Sequence, residues 1–191
     1  GKSAMRINSP PQPMSGSTIT VWVKRPSGTQ SQKLGPQTII TSKDSSGLVE
    51  GVWIGYVTTK RGTFLTLVMP ENSPSHYGST DVSQFDDGKW HMLGMTYSAS
   101  EKNMAVYMDH VLIETLNFTV AKPMNLGAGG QTLIGNVDPS SGKEAGFVGM
   151  LDDLQIWNVA KSGMKMKERA AFGLKNTQIA SALNVVAHLV L

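Results

Sequence analysis

The stretch that decides the fold is Asp86-Asp87-Gly88-Lys89-Trp90-His91-Met92-Leu93-Gly94-Met95-Thr96-Tyr97. Its Asp-Gly pair is typical of a tight turn, and apolar residues recur through the run that follows. A period of two is the pattern of a half-buried β-strand, and a tight turn that leads directly into such a strand indicates a β-hairpin. The stretch therefore predicts a protein built from short β-strands.

Short strands separated by Gly, Pro, Ser and Asn turns account for nearly everything up to about residue 160. The predicted strands are 4–8, 17–24, 38–42, 51–58, 63–68, 89–97, 102–108, 111–116, 131–134, 147–158 and 184–191. One helix is predicted over 162–172, because Ser162 is a suitable N-cap and Gly173 a suitable residue just beyond the C-terminus. The pattern is therefore all-β, with one short helix before a closing strand.

Three blocks of this sequence occur in an order known from a large superfamily. The turn and strand over 86–97 are followed by Met104-Ala105-Val106-Tyr107-Met108-Asp109-His110, and later by Phe147-Val148-Gly149-Met150-Leu151-Asp152-Asp153-Leu154-Gln155-Ile156-Trp157-Asn158. In this order the blocks resemble the concanavalin A-like, laminin-G/pentraxin jelly-roll superfamily. The resemblance covers essentially the whole chain. It implies a two-sheet antiparallel β-sandwich, a jelly roll, in a single domain over residues 1–191.

Composition excludes several other classes of protein. The chain has 191 residues, a length that suits one large β-sandwich, and it has no cysteine. It therefore lacks a disulfide scaffold and thiolate chemistry, although secretion remains compatible with it. A net charge of +3 from scattered Lys and Arg residues favours an ordinary solvated surface over a nucleic-acid partner. No run approaches the roughly 20 apolar residues that span a membrane, so no membrane insertion is expected.

The resemblance also implies a structural calcium ion, because many members of the superfamily hold one. Calcium takes about 6–8 oxygen ligands. The first candidate site is Asp152, in the block where family members place a calcium-binding aspartate, completed by main-chain carbonyls near Asn8. The second candidate is the loop that contains Asn136 and Asp138. The alternative at this loop is that Asn-x-Asp-Pro only makes a turn.

Motifs for catalysis are absent or incomplete. Retaining glycosidases place two carboxyl groups about 5 Å apart, and the E-x-D-x-x-E motif of this fold's glycosidases does not occur. The polysaccharide lyases of this fold use a Tyr and a His, and His91 and Tyr97 would share one face of one strand. No supporting Arg or Gln motif accompanies them. We therefore expect the protein not to be an enzyme, with a lyase or glycosidase as the alternative.

Four residues are predicted to bind ligand: Trp53, Tyr56, Tyr77 and Asp44. Trp22, Trp90 and Trp157 occupy positions that pack the core in the family, whereas Trp53 is expected to be exposed on the concave sheet. Asp44 lies in a polar loop, where recognition residues concentrate. The predicted function is a non-catalytic module that recognises a carbohydrate or an extracellular protein, within a larger secreted or surface protein. A structural module of an extracellular matrix or viral particle is a third reading, and the oligomeric state is not predicted.

Overall fold

The computed structural model describes residues 5–7, 13–27, 35–43, 49–69, 76–119, 121–126, 131–135, 145–163 and 185–189. The strands in this part are β1 (Met5–Ile7), β2 (Gly16–Lys24), β3 (Gly35–Lys43), β4 (Val49–Thr59), β5 (Gly62–Met69), β6 (His76–Asp81), β7 (Trp90–Ser98), β8 (Asn103–Met108), β9 (Val111–Asn117), β10 (Gln131–Ile134), β11 (Ala145–Gly146), β12 (Met150–Trp157) and β13 (Val185–Leu189). A 3₁₀ helix spans Ser83–Phe85.

The strands form the two antiparallel sheets of a jelly-roll β-sandwich, as predicted. One sheet has seven strands in the order β1-β10-β3-β4-β5-β6, with β11 beside β3. The other has six strands in the order β13-β12-β2-β7-β8-β9. The pairings β1–β10, β10–β3, β3–β4, β4–β5, β5–β6, β12–β13, β2–β7, β7–β8 and β8–β9 are antiparallel, whereas β11 is parallel to β3.

The chain divides into two compact units that interleave along the sequence. One unit takes residues 1–13, 25–89 and 125–150 and contains the seven-stranded sheet; the other takes residues 14–24, 90–124 and 151–191 and contains the six-stranded sheet. A single domain over residues 1–191 remains a prediction. The predicted helix over 162–172 falls outside the described residues apart from its first two positions.

The Asp-Gly turn does not close a hairpin, and this expectation was wrong. The turn follows β6 and precedes β7, but β6 pairs with β5, whereas β7 pairs with β2 and β8. Gly88 has φ +81°, and the Asp87 carboxylate accepts a hydrogen bond from the Lys89 backbone at 2.8 Å. The turn chemistry is therefore as expected, but a turn controls only the local reversal of the chain and not which strand becomes the partner.

The apolar residues of β2 belong to the buried core of the six-stranded sheet. Ile19, Val21 and Val23 are buried, and they pair in register with buried or half-buried residues of β7. Methionine fills the core at four strand positions: Met92, Met95, Met104 and Met108. Met150 is the exception, with 59% of its surface exposed at the start of β12.

The late strand is shorter than predicted. The strand predicted over 147–158 begins only at Met150, and the alternation that it implied is broken at Asp153, where φ is +48°. From Leu154 to Trp157 every residue is buried. Burial of four consecutive residues indicates that this part of the strand is covered on both faces.

Candidate functional site

One face of the seven-stranded sheet combines hydroxyl groups with apolar and aromatic side chains. Because side chains alternate along a strand and cross-strand pairs share a face, the registers place its residues in rows. One row runs Pro36, Val57, Phe64, Asp81; the next runs Thr38, Gly55, Thr66, Ser79; the third includes Leu133, Thr41 and Trp53. We call this surface the Trp53 face. A row of hydroxyls therefore lies between two rows rich in apolar groups.

Gly55 makes room for the indole ring of Trp53. A Cβ atom at position 55 would lie 2.6 Å from Cζ2 of Trp53 and 2.3 Å from the carbonyl oxygen of Gln37. The ring therefore lies over the glycine, and its Nε1 donates a hydrogen bond to Oγ1 of Thr38 at 2.9 Å. Only 5% of Trp53 is exposed. The expectation that Trp53 is exposed on the sheet was wrong, because its ring packs along the sheet surface instead of projecting from it.

The accessible part of the Trp53 face is the row that ends at Asp81, together with Ser79 from the next row. Val57, Phe64 and Ser79 are half-buried, and Asp81 is exposed. The hydroxyls of Thr66 and Ser79 lie 3.4 Å apart, so they form one hydrogen-bonding pair beside Phe64. An aromatic ring beside oriented polar groups is a common composition of ligand sites. This part of the face is therefore the one that a ligand from solution reaches.

Asp81 is held in a fixed orientation by Ser83. The Oδ1 atom of Asp81 accepts hydrogen bonds from the Ser83 backbone N–H at 2.9 Å and from its hydroxyl at 2.6 Å. These two bonds stabilise the charged form and hold the pKa of Asp81 below its usual value. Gly62 leaves the space for this pair, since a Cβ there would lie 2.5 Å from Oγ of Ser83. Asp81 is therefore an oriented anion at neutral pH.

Tyr56 lies on the opposite face of β4, because it is an odd number of positions, three, further along the strand than Trp53. The Cζ atom of Arg25 lies 4.6 Å from the centroid of the Tyr56 ring, and Tyr56 is only 2% exposed. Burial raises the pKa of Tyr56 well above its usual value, although the charge of Arg25 partly opposes the rise. The ring is therefore out of reach of an external ligand, and Tyr56 has a packing role here.

Four other predicted site residues lie in segments outside the described residues: Asp44, Asn8, Asn136 and Asp138. The backbone of Tyr77 is described, and it occupies the same cross-strand row as Trp53, two strands away. Its role in binding remains a prediction.

Asp152 is half-buried, and its Oδ1 atom accepts a hydrogen bond from the Asp153 backbone at 2.8 Å. The strand that carries it neighbours β2 and β13, whereas β1 pairs with β10 in the other sheet. Within the described ranges no group of three His, Cys, Asp or Glu residues is placed to hold a metal ion. The described residues thus contribute one of the expected calcium ligands, and calcium binding remains a prediction.

The geometry does not support His91 and Tyr97 as a catalytic pair. Six residues along a strand correspond to about 20 Å, which is too far for two groups to act on one bond. Tyr97 is buried, and its hydroxyl donates a hydrogen bond to the carbonyl of Lys122. Nδ1 of His91 lies 2.7 Å from Oδ2 of Asp109, which anchors the β8–β9 turn. Both residues therefore have structural partners.

Phe64, Asp81 and Ser83 were missed at the level of sequence. Strand β6 has the sequence His-Tyr-Gly-Ser-Thr-Asp, which lacks apolar alternation, so the sequence predicts a strand over 63–68 that contains Phe64 but none over 76–81. Without β6 nothing pairs Asp81 with Phe64. The one available signal was Asp81 two residues before Ser83, a spacing that suits a side-chain turn.

Residues 1–165 match the family described as the concanavalin A-like lectin/glucanases superfamily, and the chain belongs to this superfamily. A search among curated proteins found no match. Within the part of the chain that the structure describes, no helix is long and apolar enough to cross a membrane.

Solved structures with the same fold come from animals and bacteria. The heptameric SAP-like pentraxin of Limulus polyphemus is 19% identical, with a TM-score of 0.65 over 87% of this chain and 75% of the pentraxin. CBM40 of the Ruminococcus gnavus IT-sialidase, bound to α2,3 sialyllactose, is 11% identical, with a TM-score of 0.61 over 83% and 84%. Domain 4 of AbnA, a GH43 extracellular arabinanase from Geobacillus stearothermophilus in complex with arabinotriose, is 18% identical, with a TM-score of 0.57 over 89% and 82%. These likenesses concern the fold.

Proposed function

We propose that this chain is a non-catalytic carbohydrate-binding domain that binds glycan on the Trp53 face of its seven-stranded sheet. The observation that carries the proposal is the accessible part of this face, where the half-buried Phe64 ring lies beside the half-buried Ser79 and the exposed Asp81. Sugars present both hydroxyl groups and apolar C–H surfaces, so such a face complements both. Two similar structures hold sialyllactose and arabinotriose, which supports a glycan as the partner.

The non-catalytic role is supported by the positions of the residues that catalysis would use. His91 and Tyr97 are too far apart to cooperate, and the hydroxyl of Tyr97 is occupied. An extracellular setting is part of the proposal, since one similar structure is a domain of an extracellular arabinanase. The glycan would then be a polysaccharide or a glycoconjugate outside the cell.

The test is a glycan-array screen of the whole chain, followed by calorimetric titration of any oligosaccharide that binds. We expect binding without new reducing ends or unsaturated products. Ser79→Ala removes a hydroxyl from the Trp53 face and should weaken binding by about twofold to tenfold, the worth of one hydrogen bond. The matched control is Ser98→Ala in the six-stranded sheet, which should leave the affinity unchanged. Failure of the native chain to bind any glycan, or turnover of one, would refute the proposal.

A further inference from the structure

The accessible end of the Trp53 face has the features of one sugar subsite. Phe64 and Asp81 are direct cross-strand partners on β5 and β6, so their side chains leave the same face side by side. Phe64 is half-buried and Asp81 is exposed. An aromatic ring offers a flat apolar surface, and a carboxylate only accepts hydrogen bonds. The pair therefore suits a ligand that has an apolar face and hydroxyl donors at its edge.

The two oxygen atoms of Asp81 have different partners. Oδ1 accepts both hydrogen bonds from Ser83, at 2.9 and 2.6 Å. No described residue donates a hydrogen bond to Oδ2, which lies 3.8 Å from the position that a Cβ of Gly62 would occupy. The carboxylate is thus already oriented, with one oxygen left for a donor. Orientation before binding reduces the entropy that a ligand must lose on ordering the site.

From this geometry we infer that Phe64 and Asp81 form a subsite for a neutral sugar ring, which packs on Phe64 and donates a hydroxyl to Oδ2 of Asp81. The inference rests on the proposed carbohydrate-binding function and specifies its ligand class. A hydrogen bond to a charged acceptor is stronger than one between neutral groups. The negative charge of Asp81 disfavours sugars that carry carboxylate or sulfate groups at this position. The Asp81 side chain therefore also makes the subsite select neutral over acidic glycans.

The exposed basic residues Lys60 and Arg61 lie in the turn that connects β4 to β5, just before Gly62. Two positive charges favour acidic sugars, so the test includes acidic sugars. The native chain is titrated by calorimetry with neutral oligosaccharides and with uronic-acid and sulfated ones. We expect neutral ligands to bind more tightly. A preference for the acidic ligands would overturn the inference and direct attention to the basic turn.

Two pairs of matched variants test the individual residues. Asp81→Asn should weaken binding of the neutral sugar by about tenfold or more, while Glu101→Gln, which neutralises an exposed carboxylate in the β7–β8 turn, should not. Phe64→Leu keeps an apolar side chain without the flat ring and should weaken binding by about threefold to tenfold, while Phe118→Leu should not. In the native chain the carboxyl carbon of Asp81 should shift in NMR spectra on titration, which tests the contact without any variant.

The outcomes separate the inference from the proposed function. A native chain that binds no glycan overturns both. A native chain whose affinity survives Asp81→Asn and Phe64→Leu, or whose Asp81 resonance does not move on saturation, overturns the subsite and leaves the carbohydrate-binding function standing.

Discussion

At the scale of single residues, a buried ion pair ties the segment after β2 to the turn before β7. The Nη1 atom of Arg25 lies 2.5 Å from Oδ1 of Asp86, and its Nη2 donates to the Thr58 hydroxyl at 3.1 Å. The two side chains are 2% and 3% exposed. Burial lowers the pKa of Arg25, and the Asp86 carboxylate opposes that change. Each charge of such a pair depends on the other, because neither is solvated.

The first stability prediction concerns this pair. Asp86→Ala leaves the guanidinium buried without its counter-ion and should lower the free energy of unfolding by about 3–5 kcal/mol. The double variant Arg25→Met with Asp86→Ala removes both charges and should lose less than Asp86→Ala alone. Urea melts of the two variants measure the difference. Lys89→Ala is the control, because Lys89 is 78% exposed and lies 3.3 Å from Asp87; a surface pair contributes about 0–1 kcal/mol. A double variant that is less stable than Asp86→Ala would contradict the prediction.

At the scale of secondary-structure elements, the β8–β9 hairpin is closed by a two-residue turn in which both residues are left-handed. Asp109 has φ +49° and His110 has φ +68°, a conformation that favours glycine and asparagine. Asp109 has contacts that offset the strain, since Oδ1 accepts from the Met92 backbone at 2.8 Å and Oδ2 lies 2.7 Å from Nδ1 of His91. His110 is exposed. Substitution by glycine should therefore have a different effect on stability at position 109 than at position 110.

We expect His110→Gly to stabilise the protein. A left-handed conformation costs a non-glycine residue about 1–2 kcal/mol, whereas glycine adds about 0.4–1 kcal/mol of unfolded-state entropy. The net gain is up to about 1 kcal/mol, or roughly 2–4 °C in melting temperature at this chain length. Asp109→Gly is the matched variant, and it should destabilise because it removes the bonds to β7. Equal effects of the two substitutions in thermal melts would show that the backbone conformation is not what limits the turn.

At the scale of the whole molecule, the family resemblance implies calcium binding, which remains a prediction. We propose that an ion bound through Asp152 raises the melting temperature. A ligand present at about 100 times its Kd stabilises the folded state by roughly 2.7 kcal/mol, which corresponds to roughly 5–10 °C here. Melts of the whole chain with millimolar calcium and with chelator measure this shift. Asp152→Asn should abolish it, while Glu101→Gln should not. Identical melting temperatures with calcium and with chelator would show that Asp152 binds no calcium and has a structural role alone.

Local patterns along the chain were sufficient to predict the β-sandwich fold. The turn at Gly88, the alternation of β2 and the motif around Asp152 each reflect interactions within a few residues, so each is visible in a short window of sequence. The three blocks in order then identified the superfamily. The same windows found most strands to within a few residues, but they missed β6, because its polar residues lack alternation.

The residues that form the candidate site were decided by the pairing of strands that are far apart in the sequence. Trp53 and Tyr56 looked alike in sequence, but one ring lies over Gly55 and the other contacts Arg25. Phe64 and Asp81 became neighbours only through the register of β5 with β6. The partner of a strand and the burial of its side chains result from contacts between residues that are far apart in sequence. A local sequence pattern does not contain the free energy of such contacts. The sequence therefore predicted the fold and its class, whereas the tertiary structure alone decided which side chains share the accessible face.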